Sequence, residues 1–278
     1  MRFIFYTHLV LISIFNLTAQ NKAYEIFVKS TQVINSAKNM TYSNMAKERI
    51  NGIMLSPKLA HIKVQRKPYK LYLKQERKEG AEILFNSNIT TKTALVNPGK
   101  FPYINLNLNP NGSIMHKNEH HTILQADIKY TYDIVNHSLK TKQDIKKMSY
   151  INMVRIKEKT YHKIKLTNFN YKITTYKVQK NDNINNIAKK LYLNDYSIYE
   201  LNKNISNNTD IKIGEIIKVP THYAKSMIMY INTQNYLPYK ILVYDYAGLY
   251  ESYEFKNLKI NVEFKENEFL KSFEEYDF

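Results

Sequence analysis

The sequence predicts an α+β protein in which antiparallel strands form the main sheet and two amphipathic helices cover it. Segments of alternating apolar and polar residues recur between residues 42 and 169 and again after residue 222, as expected for strands with one buried face. Turn residues such as Asn51 and Gly52 separate neighbouring segments, so consecutive strands are expected to pair. Between the two strand blocks, at 171–221, lies a smaller unit with a strand-helix-helix-strand pattern.

Local periodicity predicts the elements of the larger domain one by one. Apolar residues recur at three- and four-residue spacing in 23–37 and 121–139, which indicates two helices. Segment 101–112 is rich in Asn and Pro and is predicted to be a long loop. Strand-like alternation is clearest from Leu258 to Phe264. The other predicted strands are 42–50, 59–64, 69–73, 81–85, 93–96, 150–156, 161–169, 226–231, 239–244 and 249–255.

The N-terminus has the features of an export signal. Arg2 provides a positive charge, residues 9–15 are apolar, and Ala19 and Gln20 provide a cleavage site. The apolar stretch is shorter than the ~20 residues that span a bilayer. We therefore expect residues 1–20 to be removed, which leaves a periplasmic or secreted chain without a transmembrane segment. An uncleaved membrane anchor is the alternative.

Charge and cysteine content restrict the possible partners. The chain has 41 basic and 24 acidic residues and a formal net charge of +17. The basic residues are spread along the whole chain, which does not predict a nucleic-acid partner. A diffuse positive charge favours anionic polymers and lipids of the cell envelope. Because the chain has no Cys, it forms no disulfide and has no thiolate nucleophile or acylated N-terminal Cys.

The smaller unit is predicted to contain strands 173–178 and 216–219 and helices 183–191 and 197–202. Either Asp182 or Asn183 is expected to cap the first helix, because their side-chain oxygens can accept from its free amides. The preceding turn needs a residue that tolerates the left-handed conformation, and Asn181 meets that need. The core stripe of this helix is predicted to be Ile184, Ile187, Ala188 and Leu191.

This unit resembles the LysM family of glycan-binding modules. The resemblance depends on anchor residues that occur in family order, although Asn181 and Asn183 stand where the family prefers Gly and Thr. The anchors are Tyr176, Val178, Asp182, Ile184, Ile187, Ala188, Leu201, Asn202, Ile211, Gly214, Ile217, Val219 and Pro220.

The resemblance implies a shallow groove for glycans that contain N-acetylglucosamine, such as peptidoglycan or a chitin-like polymer. Asn side chains and backbone amides suit the acetamido group, and apolar residues suit its methyl group and the sugar face. A single copy is expected to bind weakly. A module that only packs on its host domain is the alternative. Carried over by position, the groove residues are Lys180, Asn181, Asp182, Asn183, Ile184, Asn202, Asn204, Ile205, Asp210 and Ile211.

The flanking segments, 21–170 plus 222–278, resemble exported Bacteroidota proteins in which a LysM module is inserted into a larger domain. The order of strands, Leu-Pro and Asp-x-x-Gly motifs near the C-terminus also resembles that of outer-membrane lipoprotein carriers of the LolA type. That resemblance implies a curved, half-open sheet, two helices on its concave face, and lipid or lipoprotein cargo. A filled core without a ligand is the alternative. The segments behind the first resemblance are 47–52, 67–69, 80–84, 107–112, 120–122, 237–238 and 248–255.

Catalytic motifs are weak in this sequence. His116 to His120 spells the His-x-x-Glu-His pattern of some zinc peptidases, but no helix signal surrounds it and no third ligand is evident, so no metal or other cofactor is predicted. We expect His120 and His121 to form hydrogen bonds within their loop or to cap the helix that follows.

The predicted function is therefore non-catalytic peptidoglycan binding. A lipid or lipoprotein carrier tethered by LysM and a wall hydrolase are the alternatives.

Overall fold

The computed structural model describes residues 4–76, 80–112, 114–115 and 118–278, and side chains from Gln20 onward except that of Lys142. The helices are α1 (Ile4–Ser36), α2 (Lys129–Ser138), α3 (Ile184–Leu191) and α4 (Asp195–Leu201). The strands are β1 (Asn39–Ile50), β2 (Ile53–Met54), β3 (Lys58–Arg66), β4 (Tyr69–Gln75), β5 (Glu82–Asn86), β6 (Ala94–Asn97), β7 (Leu106–Leu108), β8 (Met148–Ile156), β9 (Lys159–Thr167), β10 (Ile173–Lys177), β11 (Ile216–Pro220), β12 (Ser226–Asn232), β13 (Pro238–Asp245) and β14 (Gly248–Ile260).

One open antiparallel sheet contains both strand blocks of the sequence, so the predicted α+β class is confirmed. Within the described residues it has 12 strands in the order β7-β6-β5-β4-β3-β1-β14-β13-β12-β9-β8, with β2 paired to β1. The two blocks join where β1 pairs with β14, in a register that sets Met40 opposite Ile260 and Glu48 opposite Glu251. The smaller unit is inserted between β9 and β12, which are themselves antiparallel neighbours, so the chain leaves and re-enters the sheet at one place.

The predictions for segments 101–112 and 121–139 of the larger domain are wrong. The predicted loop 101–112 contains strand β7, which pairs with β6. The predicted helix 121–139 is divided into a 3₁₀ turn (Ile123–Gln125) and α2. Between them, Arg66 binds the carboxylate of Asp127 and the Tyr42 hydroxyl donates to the Ala126 carbonyl. These contacts from the sheet position the backbone at the break, and helical periodicity cannot show them.

Helices α1 and α2 lie on one face of the sheet, here called the inner face. The predicted stripe of α1 is largely buried, with Ala23, Phe27 and Ile34 at most 1% exposed. The rings of Phe27 and Tyr132 stack with centroids 5.6 Å apart, and Ser30 Oγ lies 2.5 Å from the Tyr132 hydroxyl. Helix α1 begins at Ile4 and continues through the predicted cleavage site, and signal-peptide cleavage stays a prediction. Within the described part of the chain, no helix combines the length and apolar character needed to cross a bilayer.

The C-terminal segment after Ile260 covers part of the opposite face. The alternation predicted from Leu258 to Phe264 stops early, because Asn261 adopts a positive φ of 53° and its amide bonds to the Asn39 carbonyl. Beyond it, Phe269 and Phe273 pack with Leu84 in a small apolar cluster. Tyr276 stacks on Tyr72 with ring centroids 3.7 Å apart.

Candidate functional site

The turn before α3 has the conformation that the sequence predicts. Asn181 has a φ of 67°, and Asn183 caps α3 by accepting from the amide of Asn186 at 2.8 Å. Asp182 has a different role, because its carboxylate accepts from the Tyr176 hydroxyl at 2.8 Å and the Gln179 amide at 2.7 Å. It therefore holds the turn against β10.

Hydrogen bonds bring the two predicted sides of the glycan groove together. The amides of Ile184 and Asn185 donate to the carbonyl and side-chain oxygens of Asn208, at 3.0 and 2.9 Å. The α3 turn therefore lies directly beside the loop between α4 and β11. Among the predicted groove residues, Lys180, Asn181, Asn204 and Asp210 are exposed, and Asp182, Asn183 and Ile211 are partly exposed.

Three predicted groove residues have their side chains inside the module. Ile184 and Ile205 are 0% and 5% exposed and belong to its apolar core. Asn202 is 8% exposed, and its Nδ2 donates to the carbonyls of Ile198 and Lys218 at 2.7 and 2.8 Å while its Oδ1 accepts from the Lys218 amide. Its side chain joins the end of α4 to β11, so the side chains of these three residues build the module and are not presented to a ligand.

Helix α4 fixes the module to the larger domain. The Tyr196 hydroxyl accepts from the Asn51 amide at 2.7 Å, and the Tyr196 ring stacks on His120 with centroids 4.6 Å apart. Glu200 lies 3.8 Å from Arg49, whose guanidinium is also bound by Asp245. A cleft of about 300 Å³ lies at this seam, with Asn51 and Asn111 from the larger domain and residues of α3, α4 and the 203–208 loop from the module.

Beneath the seam lies a buried cluster of charged side chains that sequence reasoning missed. Glu251 on β14 is 1% exposed and accepts from the Tyr223 hydroxyl at 2.9 Å. Its Oε1 also lies 2.8 Å from His120 Nδ1, 3.4 Å from His121 Nε2 and 3.3 Å from Asn194 Nδ2. Asn194 caps α4, so one carboxylate joins the sheet, the 120–121 loop and the module.

His120 therefore does not bond within its own loop, contrary to the sequence prediction. Its Nε2 lies 2.9 Å from the Arg49 carbonyl, and its amide donates to Glu48 Oε2 at 2.7 Å. Since both ring nitrogens face acceptors, the doubly protonated ring satisfies both. Burial by itself lowers the pKa of His120, but the hydrogen bond and charge of Glu251 outweigh this and raise it. Thr122, not either His, caps the following 3₁₀ turn.

Burial and the neighbouring charges also act in opposite directions on the pKa values of His121 and Glu251. Burial alone would lower the pKa of His121, but Glu251 outweighs it and raises that pKa to about 9. Burial alone would raise the pKa of Glu251, but His121 and His120 lower it to about 2. The cluster is thus a buried ion pair at neutral pH. The alternation of apolar and polar residues along β14 did not predict this ion pair. Glu251 is one charged residue among the aromatic residues of that strand, and its partners lie in distant segments.

A cavity of about 780 Å³ lies on the inner face of the sheet. Most of its wall is apolar and includes Ile62, Leu73, Ile83, Val96 and Phe255. Polar side chains also line it, among them Glu48, Lys100, His121, Asp127 and the ion pair of Lys58 with Glu119, whose Nζ and Oε1 are 2.5 Å apart. The cavity therefore combines a mainly apolar wall with several charged groups.

The His-x-x-Glu-His segment does not have the arrangement of a metal site where it is described. His116 and Lys117 lie outside the described residues. Glu119 pairs with Lys58, and both ring nitrogens of His120 face protein oxygens. Among the described residues, no group of three or more His, Asp or Glu side chains is placed to hold a metal ion.

Solved structures that resemble this chain do so only distantly. A DUF1329 family protein from Desulfovibrio piger has 8% identity and a TM-score of 0.33, covering 90% of this chain and 97% of that one. The lipoprotein LppX from Mycobacterium tuberculosis has 10% identity and a TM-score of 0.40, covering 87% and 99%. A domain from Vibrio parahaemolyticus assigned to outer membrane lipoprotein sorting has 8% identity and a TM-score of 0.34, covering 91% and 97%. Likenesses with such scores transfer neither a role nor a ligand nor a partner to this chain.

Family models match two parts of the chain. The LysM domain model matches residues 176–220, which confirms the predicted module. No curated protein matches the chain. The model described as "Protein of unknown function (DUF1571)" matches residues 38–187, more than half of the 278 residues. The chain therefore belongs to the DUF1571 family and carries a LysM domain.

Proposed function

We propose that this protein is an exported cell-envelope protein that binds peptidoglycan, without catalysis, through N-acetylglucosamine units held by its LysM domain. The domains proposed are the LysM module at 171–221 and its host at 21–170 plus 222–278, released to the periplasm or outside the cell by cleavage near Ala19 and Gln20. The observation that carries the proposal is the pair of adjacent loops in the LysM domain, where Lys180, Asn181 and Asn204 are exposed.

The chemistry of these loops suits an uncharged sugar with an acetamido group. Exposed Asn amides both donate and accept, and the free Lys180 ammonium donates to hydroxyl oxygens. Ile211, partly exposed beside them, offers an apolar contact for a methyl group. Because the two loops are joined through Asn208, the site is formed before a ligand arrives, which reduces the entropy lost on binding.

The double variant Lys180→Ala with Asn204→Ala is expected to bind chitotetraose roughly tenfold more weakly, because it removes two hydrogen-bonding side chains. Isothermal titration calorimetry measures this affinity, and co-sedimentation with purified peptidoglycan at moderate salt checks it on the polymer. Salt is required since a chain of net charge +17 adheres to anionic polymers nonspecifically. Point variants are preferable to deleting the module, because deletion would uncover Glu251 and His120.

The matched control is Lys203→Ala with Asn111→Ala, which removes the same two residue types from the seam cleft. It is expected to keep full affinity. If only the control loses binding, the glycan lies in the cleft and the groove assignment is wrong. If the unaltered protein binds neither probe, the LysM domain serves only to pack on its host. Release of muropeptides from sacculi would contradict the non-catalytic proposal.

A second function is supported by the 780 Å³ cavity: the host domain accepts an acyl chain, as a carrier of lipid or lipoprotein would. Its volume is in the range of small-molecule sites, and a mainly apolar wall is typical of them. Ala60 lines this cavity on β3, whereas the next residue, His61, points to the opposite face and is exposed. The two positions provide a matched pair of substitutions.

Ala60→Phe is expected to reduce binding of a fluorescent fatty acid about tenfold or more, because the ring occupies cavity space that the chain would fill. His61→Phe places the same ring outside the cavity and is expected to bind normally. Fluorescence titration measures both, and circular dichroism checks that both fold. Equal binding by the two variants, or no binding by the unaltered protein, would remove the carrier function.

A further inference from the structure

The loop between β6 and β7 carries large apolar side chains in full contact with solvent. Phe101, Tyr103 and Ile104 are 82%, 71% and 53% exposed. The rings of Phe101 and Tyr103 face each other edge to face, with centroids 6.4 Å apart. Scattered exposed apolar residues are ordinary, but three within four consecutive positions of one loop form a patch of the kind used to contact an apolar partner.

This loop also forms part of the cavity wall. Pro98 and Lys100 line the 780 Å³ cavity, as do Leu106 and Leu108 on the strand that follows. Ile114, 71% exposed, lines it too. Residues that line the cavity and are also exposed lie where the cavity opens to solvent. The apolar tip therefore stands beside the cavity mouth.

Charge distinguishes between the possible apolar partners. The 98–105 loop contains Lys100 and no acidic residue, and the acidic residue of the cavity wall nearest to it in sequence is Glu119. Lys100 is exposed next to Phe101. Glu119 is paired with Lys58. A lysine beside an anionic bilayer is attracted to the headgroups, and Tyr side chains favour the headgroup region.

We propose that the 98–105 loop docks on an anionic lipid bilayer, with Phe101, Tyr103 and Ile104 in the interfacial region and Lys100 on the headgroups. Docking in this orientation sets the cavity mouth against the membrane, where an acyl chain can pass without crossing water. The inference concerns a surface distinct from the LysM groove and does not depend on glycan binding.

Vesicle flotation tests the proposal, with vesicles of phosphatidylglycerol and phosphatidylcholine compared with phosphatidylcholine alone. The variant Phe101→Ser, Tyr103→Ser, Ile104→Ser is expected to bind the anionic vesicles roughly tenfold or more weakly than the unaltered protein. The matched control is Phe169→Ser, Tyr246→Ser, Ile89→Ser, which removes one Phe, one Tyr and one Ile that are 67%, 54% and 67% exposed elsewhere. It is expected to bind normally. All proteins compared carry the same N-terminus.

A spectroscopic readout reports insertion itself. The chain has no Trp, so Phe101→Trp introduces a single indole at the tip and Phe169→Trp introduces one at the control position. Anionic vesicles are expected to shift the emission of the first variant to shorter wavelength and to leave the second unchanged. The proposal would be overturned if the unaltered protein did not bind the vesicles, if both triple variants bound equally, or if the emission at position 101 did not shift. A protein partner would then be the occupant of the loop.

Discussion

Replacing Glu251 by Ala is expected to lower the free energy of unfolding by about 3–5 kcal/mol, because it leaves the buried His120 and the largely buried His121 without the carboxylate that pairs with both. Glu251 is 1% exposed, and its carboxylate faces both rings and the Tyr223 hydroxyl. The substitution also removes the acceptor of Asn194 at the start of α4. Urea denaturation followed by circular dichroism measures the loss.

The control lies three residues further along the same strand. Glu254 pairs with Lys240 at 3.5 Å and Lys256 at 3.9 Å near the surface. Glu254→Ala is therefore expected to cost less than about 1 kcal/mol. Should Glu251→Ala fail to fold, Glu251→Gln keeps the shape and some hydrogen bonds and is expected to show a smaller measurable loss. Similar losses for positions 251 and 254 would contradict the ion-pair interpretation.

Stability is expected to fall by about 3 kcal/mol as the pH rises from about 6 to above 9, because the buried ion pair raises the pKa of His121 from 6.5 to about 9. A raised pKa stabilises the folded state fully below pH 6.5, and this stabilisation disappears as the pH passes through 9. On the acid side, the pKa of Glu251 falls from 4.5 to about 2, so its stabilisation is complete above 4.5 and is lost towards pH 2.

Denaturation midpoints across this pH range measure the effect, and His121→Gln provides the comparison. Without a titrating ring at position 121, the variant is expected to lose most of the alkaline slope, since the remaining groups titrate in both proteins. An unchanged slope in the variant would show that other groups cause it. The charged and titratable groups around His121 are Glu251, Glu48, Glu119, His120, Tyr223, Tyr130, Tyr253 and Asp195.

The predicted glycan-groove residues show which features the spacing of the LysM anchor residues can predict and which it cannot. It located the LysM domain and the left-handed Asn181, and it limited the cap of α3 to Asp182 or Asn183, because these features depend on neighbours within a few residues. It could not separate residues that line a groove from those that build it. Asn202 is polar and ends the predicted second helix of the module, yet its side chain is buried between α4 and β11.

The sequence by itself determined the α+β class, most strands, the covering helices and the inserted module, since the alternation of apolar residues and the spacing of anchors are local properties. Only the tertiary structure decided that β1 pairs with β14, that the 101–112 segment contributes β7, and that Glu251 is buried against His120 and His121. Those outcomes depend on contacts between segments that are far apart in the chain. The energy of a buried charge depends on the surroundings that such contacts create.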